Sequence, residues 1–431
     1  MLVTPARVHE ILAASILADG FDMVLDLRKS RGPRLVDARD GTAYLDMFGF
    51  FASNALGMNH PALADDRAFR ASLSDAAINK PSNSDIYTVE MARFVDTFVR
   101  VLGDPRLPHL FFIDGGGLAV ENALKAAFDW KSRHNEMHGR PAELGTKVLH
   151  LTGAFHGRTG YTMSLTNTDP IKTARFPKFD WPRIETPYLG EGRDIETAER
   201  RALDQAIRAF AENPHDIACF IAEPIQGEGG DRHMRPEFLR TMQELCHDND
   251  ALFVLDEVQT GVGLTGSVWA YQQLGLEPDV VAFGKKTQVC GIMAGGRIDE
   301  VPDNVFRVSS RLNSTWGGNL TDMVRSRRIL EIIARDELVA RAAELGTHLL
   351  ERLTNLATDH AAVSDPRGRG LMCAITLESA QLRDDVVTRL REREHVLILG
   401  SGDRGIRFRP ALTVTIAELD EAVDALDRAL S

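Results

Sequence analysis

The sequence predicts an α/β fold built around a mainly parallel sheet, and three stretches carry that expectation. Residues 251–255 (ALFVL) are an uninterrupted apolar run that ends in Asp256 and Glu257. Residues 280–283 (VVAF) are a second such run, ending in Gly284 and Lys285. The third stretch, residues 110–131 (LFFIDGGGLAVENALKAAFDWK), reads as an apolar strand, a glycine turn and an amphipathic helix carrying Leu118, Leu124, Ala127 and Phe128. Short β-branched or aromatic runs without polar interruption are how strands buried on both faces read. Between the first two runs lie turn glycines (Gly261, Gly263, Gly266) and a helical segment around 269–274, completing a strand–helix–strand unit. Asp256 and Lys285 therefore leave the same carboxyl-terminal sheet edge, where open α/β sheets bind ligands.

Taken in order, residues 1–58 mix a short helix (8–16) with strand-like pieces, and Asp40-Gly41 within LVDARDGTAYLDM signals a hairpin. Phe48, Phe50 and Phe51 are expected to pack in the core, with lining a substrate pocket as the alternative. Asn59-His60-Pro61 opens a new segment, where a domain change is placed. Apolar spacing over 85–101 (Ile86, Val89, Phe94, Val95, Phe98, Val101) is helical. Residues 147–151 form a strand ending in TGAFHGR, which puts Phe155, His156 and Arg158 at a strand tip. Residues 194–213 read as a charged helix with a solvent face. Residues 217–225 read as a further strand, with Glu223 near its end and QGEGG after it. Beyond the central unit, RLNSTWGGN (311–319) is a polar glycine-rich loop, and one long helical stretch runs from about 321 through Leu349 and Leu350. Short strands follow in DPRGRGLMCAITL, HVLILG and GIRFRPALTV, and the last helix covers 416–430. The expected division is a large domain at 59–325, with 1–58 and 326–431 forming a smaller α/β domain from both chain ends.

Bulk composition narrows the function classes. The 431 residues are 44% hydrophobic and 26% charged, as ordinary soluble globular proteins are. A formal charge of −12, with no long run of one sign, argues against nucleic acid or an anionic membrane as a main partner. The four cysteines (Cys219, Cys246, Cys290, Cys373) are scattered; no Cys/His cluster suggests a metal, and reduced thiols in the cytoplasm are expected. The first residues lack a basic segment followed by a long apolar core, so no signal peptide is expected. No stretch approaches the roughly 18 apolar residues of a membrane span.

The glycine turn at 115–117 feeds a helix, and free N–H groups at the positive end of a helix dipole make a phosphate site. It has no GxGxxG and no following GK[ST], which argues against a nucleotide-binding protein. Strand-end carboxylates are often caps and strand-end lysines often solvated, so each feature alone is ordinary. Together, an acid, an amine and a phosphate turn fit a pyridoxal 5'-phosphate pocket. Lys285 would form a Schiff base with the cofactor aldehyde, and Asp256 would keep the pyridine nitrogen protonated, making the ring an electron sink. Gly116 and Gly117 would take the phosphate. Gln259 would bond the phenolic oxygen, with Val258 on one ring face and Phe155 on the other. Lys285 is chosen over Lys286 because it follows the strand directly; Lys286 is expected to be exposed or a neighbour of the site.

DEVQTG (256–261), PDVVAFGK (278–285), AFHGRT (154–159) and AEPIQGEGG (222–230) resemble the class III, or ω-, aminotransferases. The likeness covers nearly the whole chain. It implies fold type I, with a mainly parallel sheet of the seven-stranded type in the large domain. Within the class, GKKTQVCG, DGGGLAVENALK and RLNSTWGGN are most similar to the L-lysine 6-aminotransferases. That resemblance implies transfer of the ε-amino group of L-lysine to 2-oxoglutarate, giving L-glutamate and 2-aminoadipate 6-semialdehyde. It implies that Lys285 is both Schiff base and proton shuttle, and that Arg158 binds the α-carboxylate of the amine donor. Arg407 would bind the α-carboxylate of 2-oxoglutarate and glutamate. Glu228 would be a switch, covering Arg407 while lysine reacts. Thr315 would reach the phosphate in the neighbouring subunit of a homodimer. Two departures stand out. GVGLTG replaces the GFGRTG of many class III members, and Gly115-Gly116-Gly117 replaces the usual serine-containing phosphate turn. The alternative within the fold is an ω-aminotransferase for ornithine, acetylornithine or 4-aminobutyrate.

Overall fold

The structure, a computed structural model, describes residues 3–431. Its centre is a seven-stranded sheet in the order His109–Ile113, Cys290–Ala294, Val280–Phe283, Leu252–Asp256, Ile217–Ala222, Lys147–Leu151, Arg183–Ile184. Every neighbouring pair is parallel except the two made by Cys290–Ala294, which runs antiparallel to both of its neighbours. The central strand–helix–strand unit stands as expected: Val280 pairs with Val254 and Ala282 with Asp256, joined through the Ala270–Leu274 helix. The Cys290–Ala294 strand was not anticipated.

Alternation along these strands sends side chains to two faces. Ile221, Val254, Ala282 and Ile292 meet Val120, Ala123, Leu124 and Ala127 of the Gly116–Met137 helix. Phe220, Phe253, Leu255 and Phe283 face the opposite way, onto Phe238 and Met242 of the Pro236–Asp248 helix and onto Leu330 and Ile333 of Leu320–Arg335. Both faces are thus dry, which is why the runs are continuously apolar. Leu118, expected on the buried stripe, is instead exposed at the first turn of its helix.

The chain ends meet. Val396–Leu397 pairs parallel with Ala43–Asp46, which pairs antiparallel with Arg34–Val36. A separate antiparallel sheet orders Val363–Arg369, Met372–Leu377, Gly405–Phe408 and Leu399–Ser401. The long helical stretch is two helices, Leu320–Arg335 and Leu338–Asp359, broken where Glu337 turns left-handed at φ 50°. The early helices are shorter than expected, at Val8–Ala13 and Val89–Leu102, and the strand at 217 ends at Ala222. The final helix, Ile416–Leu430, opens on a capping box between Thr415 and Glu418.

Candidate active site

A cavity of about 580 Å³ opens at the carboxyl edge of the sheet. Its lining includes Lys285, Asp256, Gly116, Gly117, Phe155, Val258 and Gln259. The parallel register explains the central pair: Asp256 lies opposite Ala282, and Lys285 follows three residues later, just past the end of the neighbouring strand. Asp256 Oδ1 accepts Val258 N–H at 3.0 Å, and Oδ2 accepts from His156 Nδ1 at 2.8 Å. Burial works against charge on His156, but the bonded Asp256 carboxylate, with Glu223 nearby, outweighs it and raises the imidazole above its ordinary value. His156 was read from sequence only as part of a strand-tip cluster; its place beside Asp256 was missed, and the AFHGR spacing was the available cue. Glu223 bonds Phe155 N–H and Gly227 N–H, each at 3.0 Å. Burial pushes its carboxyl up to about 7.

The two lysines part company. Lys285 lines the cavity, where burial and then the Arg407 charge draw its ammonium down to about 8 against the pull of Asp256. Lys286 is not exposed; of the two expected placements it takes the one beside the site. It is fully buried and donates to the carbonyls of Ala52 and Gln259, both at 3.2 Å. Gln259 in turn accepts from Arg409 Nε at 3.0 Å through Oε1, which leaves its amide N–H₂ as the group free to donate. Arg409 is buried and ion-paired with Asp231.

Arg158 lines the cavity, exposed and with no ion pair among the described residues. Arg407 enters from the Gly405–Phe408 strand with its side chain 4% exposed. Its Nη2 donates to Glu228 Oε2 at 3.0 Å. Phe50 and Phe51 also line the cavity, so the expectation of core packing holds for Phe48 alone; Phe51 is 52% exposed. Lys172, which drew no attention in the sequence, is a further lining residue. Thr315 does not line the cavity of its own chain; its loop is tied to the 82–84 segment through Ser82 Oγ, which donates to the Thr315 carbonyl at 2.6 Å.

These residues fit pyridoxal phosphate. No side chain caps the Gly116–Met137 helix, so its first N–H groups are open to a phosphate. A Cβ on Gly116 would come within 2.9 Å of Val258 Cγ1, and one on Gly117 within 3.3 Å of Thr159 Cγ2. Bare backbone at those two positions leaves room for the cradle that a phosphate needs. An acid and an amine stand at neighbouring strand tips of the same cavity.

A fold of this kind with such a site defines a class, and sequence comparison agrees. The family model for class-III aminotransferases matches residues 17–430, and the chain belongs to that family of pyridoxal phosphate-dependent, fold type I enzymes. It is 65% identical to the L-lysine-epsilon aminotransferase of Mycobacterium bovis, over 99% of this chain and 96% of that one. A solved structure of lysine aminotransferase from M. tuberculosis in the internal aldimine form superposes with a TM-score of 0.98, at 64% identity and 99% coverage of both chains. The mitochondrial 4-aminobutyrate aminotransferase of Mus musculus is 31% identical, over 92% of this chain and 82% of that one.

Proposed function

We propose that the protein transfers the ε-amino group of L-lysine to 2-oxoglutarate, forming 2-aminoadipate 6-semialdehyde and L-glutamate. The observation that carries the two-substrate reading is the Glu228–Arg407 pair, made inside the cavity that Lys285 and Arg158 line. The wide gap in identity between the lysine and 4-aminobutyrate enzymes supports lysine over the other ω-amines.

When bound, pyridoxal phosphate supplies a carbonyl that takes up the amine and a ring that draws electrons from the reacting carbon. The chain supplies position and proton transfer. Lys285 Nζ anchors the cofactor and moves the proton at the reacting carbon, a task suited to an amine titrating near 8. Asp256, held in place by His156, would keep the ring nitrogen protonated. Gly116 and Gly117 N–H groups would hold the phosphate, and the amide of Gln259 would donate to the phenolic oxygen. Val258 and Phe155 would pack against the ring.

Arg158 grips the α-carboxylate of lysine and leaves its ε-amine at the reacting centre. An uncovered Arg407 would draw lysine in backwards; Glu228 covers it, and parting the pair has a cost because the arginine is buried. 2-Oxoglutarate repays that cost with its own carboxylate. The acceptor therefore reaches Arg407 where the donor does not. Thr315 of the partner subunit completes the phosphate site in a homodimer. Exposed Ile86, Tyr87, Val89 and Trp316 beside its loop support that assembly. Four buried cysteines without disulfides support a cytoplasmic setting. Among the described residues no helix is long and apolar enough to cross a membrane.

The test is turnover of L-lysine, L-ornithine, N-acetylornithine and 4-aminobutyrate with 2-oxoglutarate, alongside the visible spectrum before and after L-lysine. Preferred turnover of lysine and a lysine-dependent spectral change are expected. Equal or better turnover of ornithine would move the assignment to the alternative.

A further inference from the structure

Lys172 lies outside the sequence motifs that mark the site, yet it shares a cavity with Lys285 and Asp256. It closes the short turn Pro170–Lys172, capped by Asp169, which accepts Ile171 N–H at 3.0 Å. Its Nζ donates to Glu228 Oε1 at 2.6 Å and lies 5.5 Å from the Phe155 ring centroid. Glu228 is therefore shared: Oε1 faces Lys172, and Oε2 accepts from Arg407 Nη2 at 3.0 Å. A guanidinium can give a carboxylate two parallel N–H bonds, but Arg407 gives Glu228 only one. Arg407 Nε and Nη1 are buried and meet no acceptor among the described residues. One oxygen of Glu228 is held by Lys172, and the other alone bonds Arg407.

We propose that Lys172 is a positioning residue for acceptor binding: it holds Glu228 by one oxygen, limits its grip on Arg407, and keeps the carboxylate when 2-oxoglutarate takes that arginine. The assignment rests on the roles proposed above for Glu228 and Arg407. A half-buried carboxylate that leaves one cation needs a second cation or a proton. Lys172 is that second cation, and it stands where Glu228 can reach it without crossing the cavity. Both side chains also line an outer cleft with Arg383 and Gly402, so the pair forms part of the wall between the two spaces. Glu228 can swing toward that wall while Arg407 turns its unpartnered donors to the incoming carboxylate.

Lys172→Met removes the charge and keeps the length. It is expected to raise KM for 2-oxoglutarate by about tenfold, the effect of weakening one such contact, while KM for L-lysine and the rate of the lysine half-reaction stay within about twofold. Lys172→Arg should restore most of the acceptor affinity. In a Glu228→Gln background Lys172→Met should add little, because the two residues act as a unit. Equal rises in both KM values, an unchanged KM for 2-oxoglutarate, or full additivity with Glu228→Gln would each overturn the assignment. Wild-type turnover of lysine with 2-oxoglutarate tests the underlying function on its own. If another ω-amine proves to be the donor, the same acceptor effect is expected with that amine in place of lysine.

Discussion

Lys285 and Lys286 are neighbours in sequence, but their side chains go to different places. Lys285 adopts φ 56°, a left-handed conformation that costs a non-glycine residue roughly 1–2 kcal/mol. That turn directs its side chain to the cavity and the next one into the interior, onto the Ala52 and Gln259 carbonyls. Lys285→Ala is expected to abolish the visible absorbance of the covalently held cofactor; survival of the band would move the attachment to Lys286. The pH dependence of the cofactor-free protein has a definite sign. Lys285 titrates near 8 in the folded state and near 10.4 unfolded, so between those values the unfolded chain binds more protons and stability rises with pH. Below pH 8 the buried charge is a net cost. Lys285→Met should therefore be more stable than wild type at pH 7, by about 1–2 kcal/mol after discounting for cavity water, and urea titration should show the gap closing between pH 8 and 10. Arg158 stands apart from these groups, with no ion pair among the described residues to lose. Arg158→Ala is expected to raise KM for L-lysine at least tenfold and KM for 2-oxoglutarate far less; steady-state kinetics giving equal effects would remove its donor role.

At the scale of elements, two short turns shape the cavity. The Gly49–Ala52 turn winds left-handed, with φ of 53°, 49°, 58° and 66° at Gly49, Phe50, Phe51 and Ala52. Asp46 holds it by accepting Phe48 N–H at 3.0 Å and Gly49 N–H at 2.8 Å. A Cβ on Gly49 would sit 2.3 Å from the Arg409 carbonyl oxygen. Gly49→Ala should lower stability by about 2–4 kcal/mol, through left-handed strain and overpacking together, read as a fall in the urea midpoint. A variant as stable as wild type would mean that the turn relaxes freely. The glycine turn before the Gly116–Met137 helix makes the opposite case. Gly116 has an ordinary φ, so its constraint is the approach to Val258. Gly116→Ala is expected to weaken cofactor binding by tenfold or more, about 1.4 kcal/mol, with little change in the Tm of the cofactor-free protein. A large fall in that Tm would make the glycine a folding residue.

At the scale of the molecule, strands from the two chain ends pair with each other, and Arg407 on the Gly405–Phe408 strand and Arg409 just past it reach the site. The proposed role of Thr315 lies at the phosphate of a second chain. Mixed dimers of Lys285→Ala and Thr315→Ala subunits test that arrangement: one of the two sites would keep both Lys285 and the Thr315 of the partner subunit. Such mixtures should bind cofactor at that site with wild-type affinity. Mixtures no better than the Thr315→Ala dimer would place the contact within one chain.

The class of fold and the core of the site were legible in the chain itself. Buried parallel strands must be apolar along their length, so 251–255 and 280–283 announced themselves, and the residues that end them, Asp256 and Lys285, share an edge by register. The same local logic located the glycine turn that opens the Gly116–Met137 helix and the final helix. What only the tertiary structure decided were contacts between distant segments. His156 finds Asp256 across 100 positions, and Lys172 reaches Glu228 across 56. No periodicity encodes such pairings. Phe50 and Phe51 line the cavity because Asp46 holds a left-handed turn whose Gly49 packs against the Arg409 carbonyl, whereas apolar side chains alone read as core. Lys286 is buried because two backbone carbonyls from other segments receive it. Local pattern specifies which residues leave a strand tip; which partners await them is set by how the segments pack.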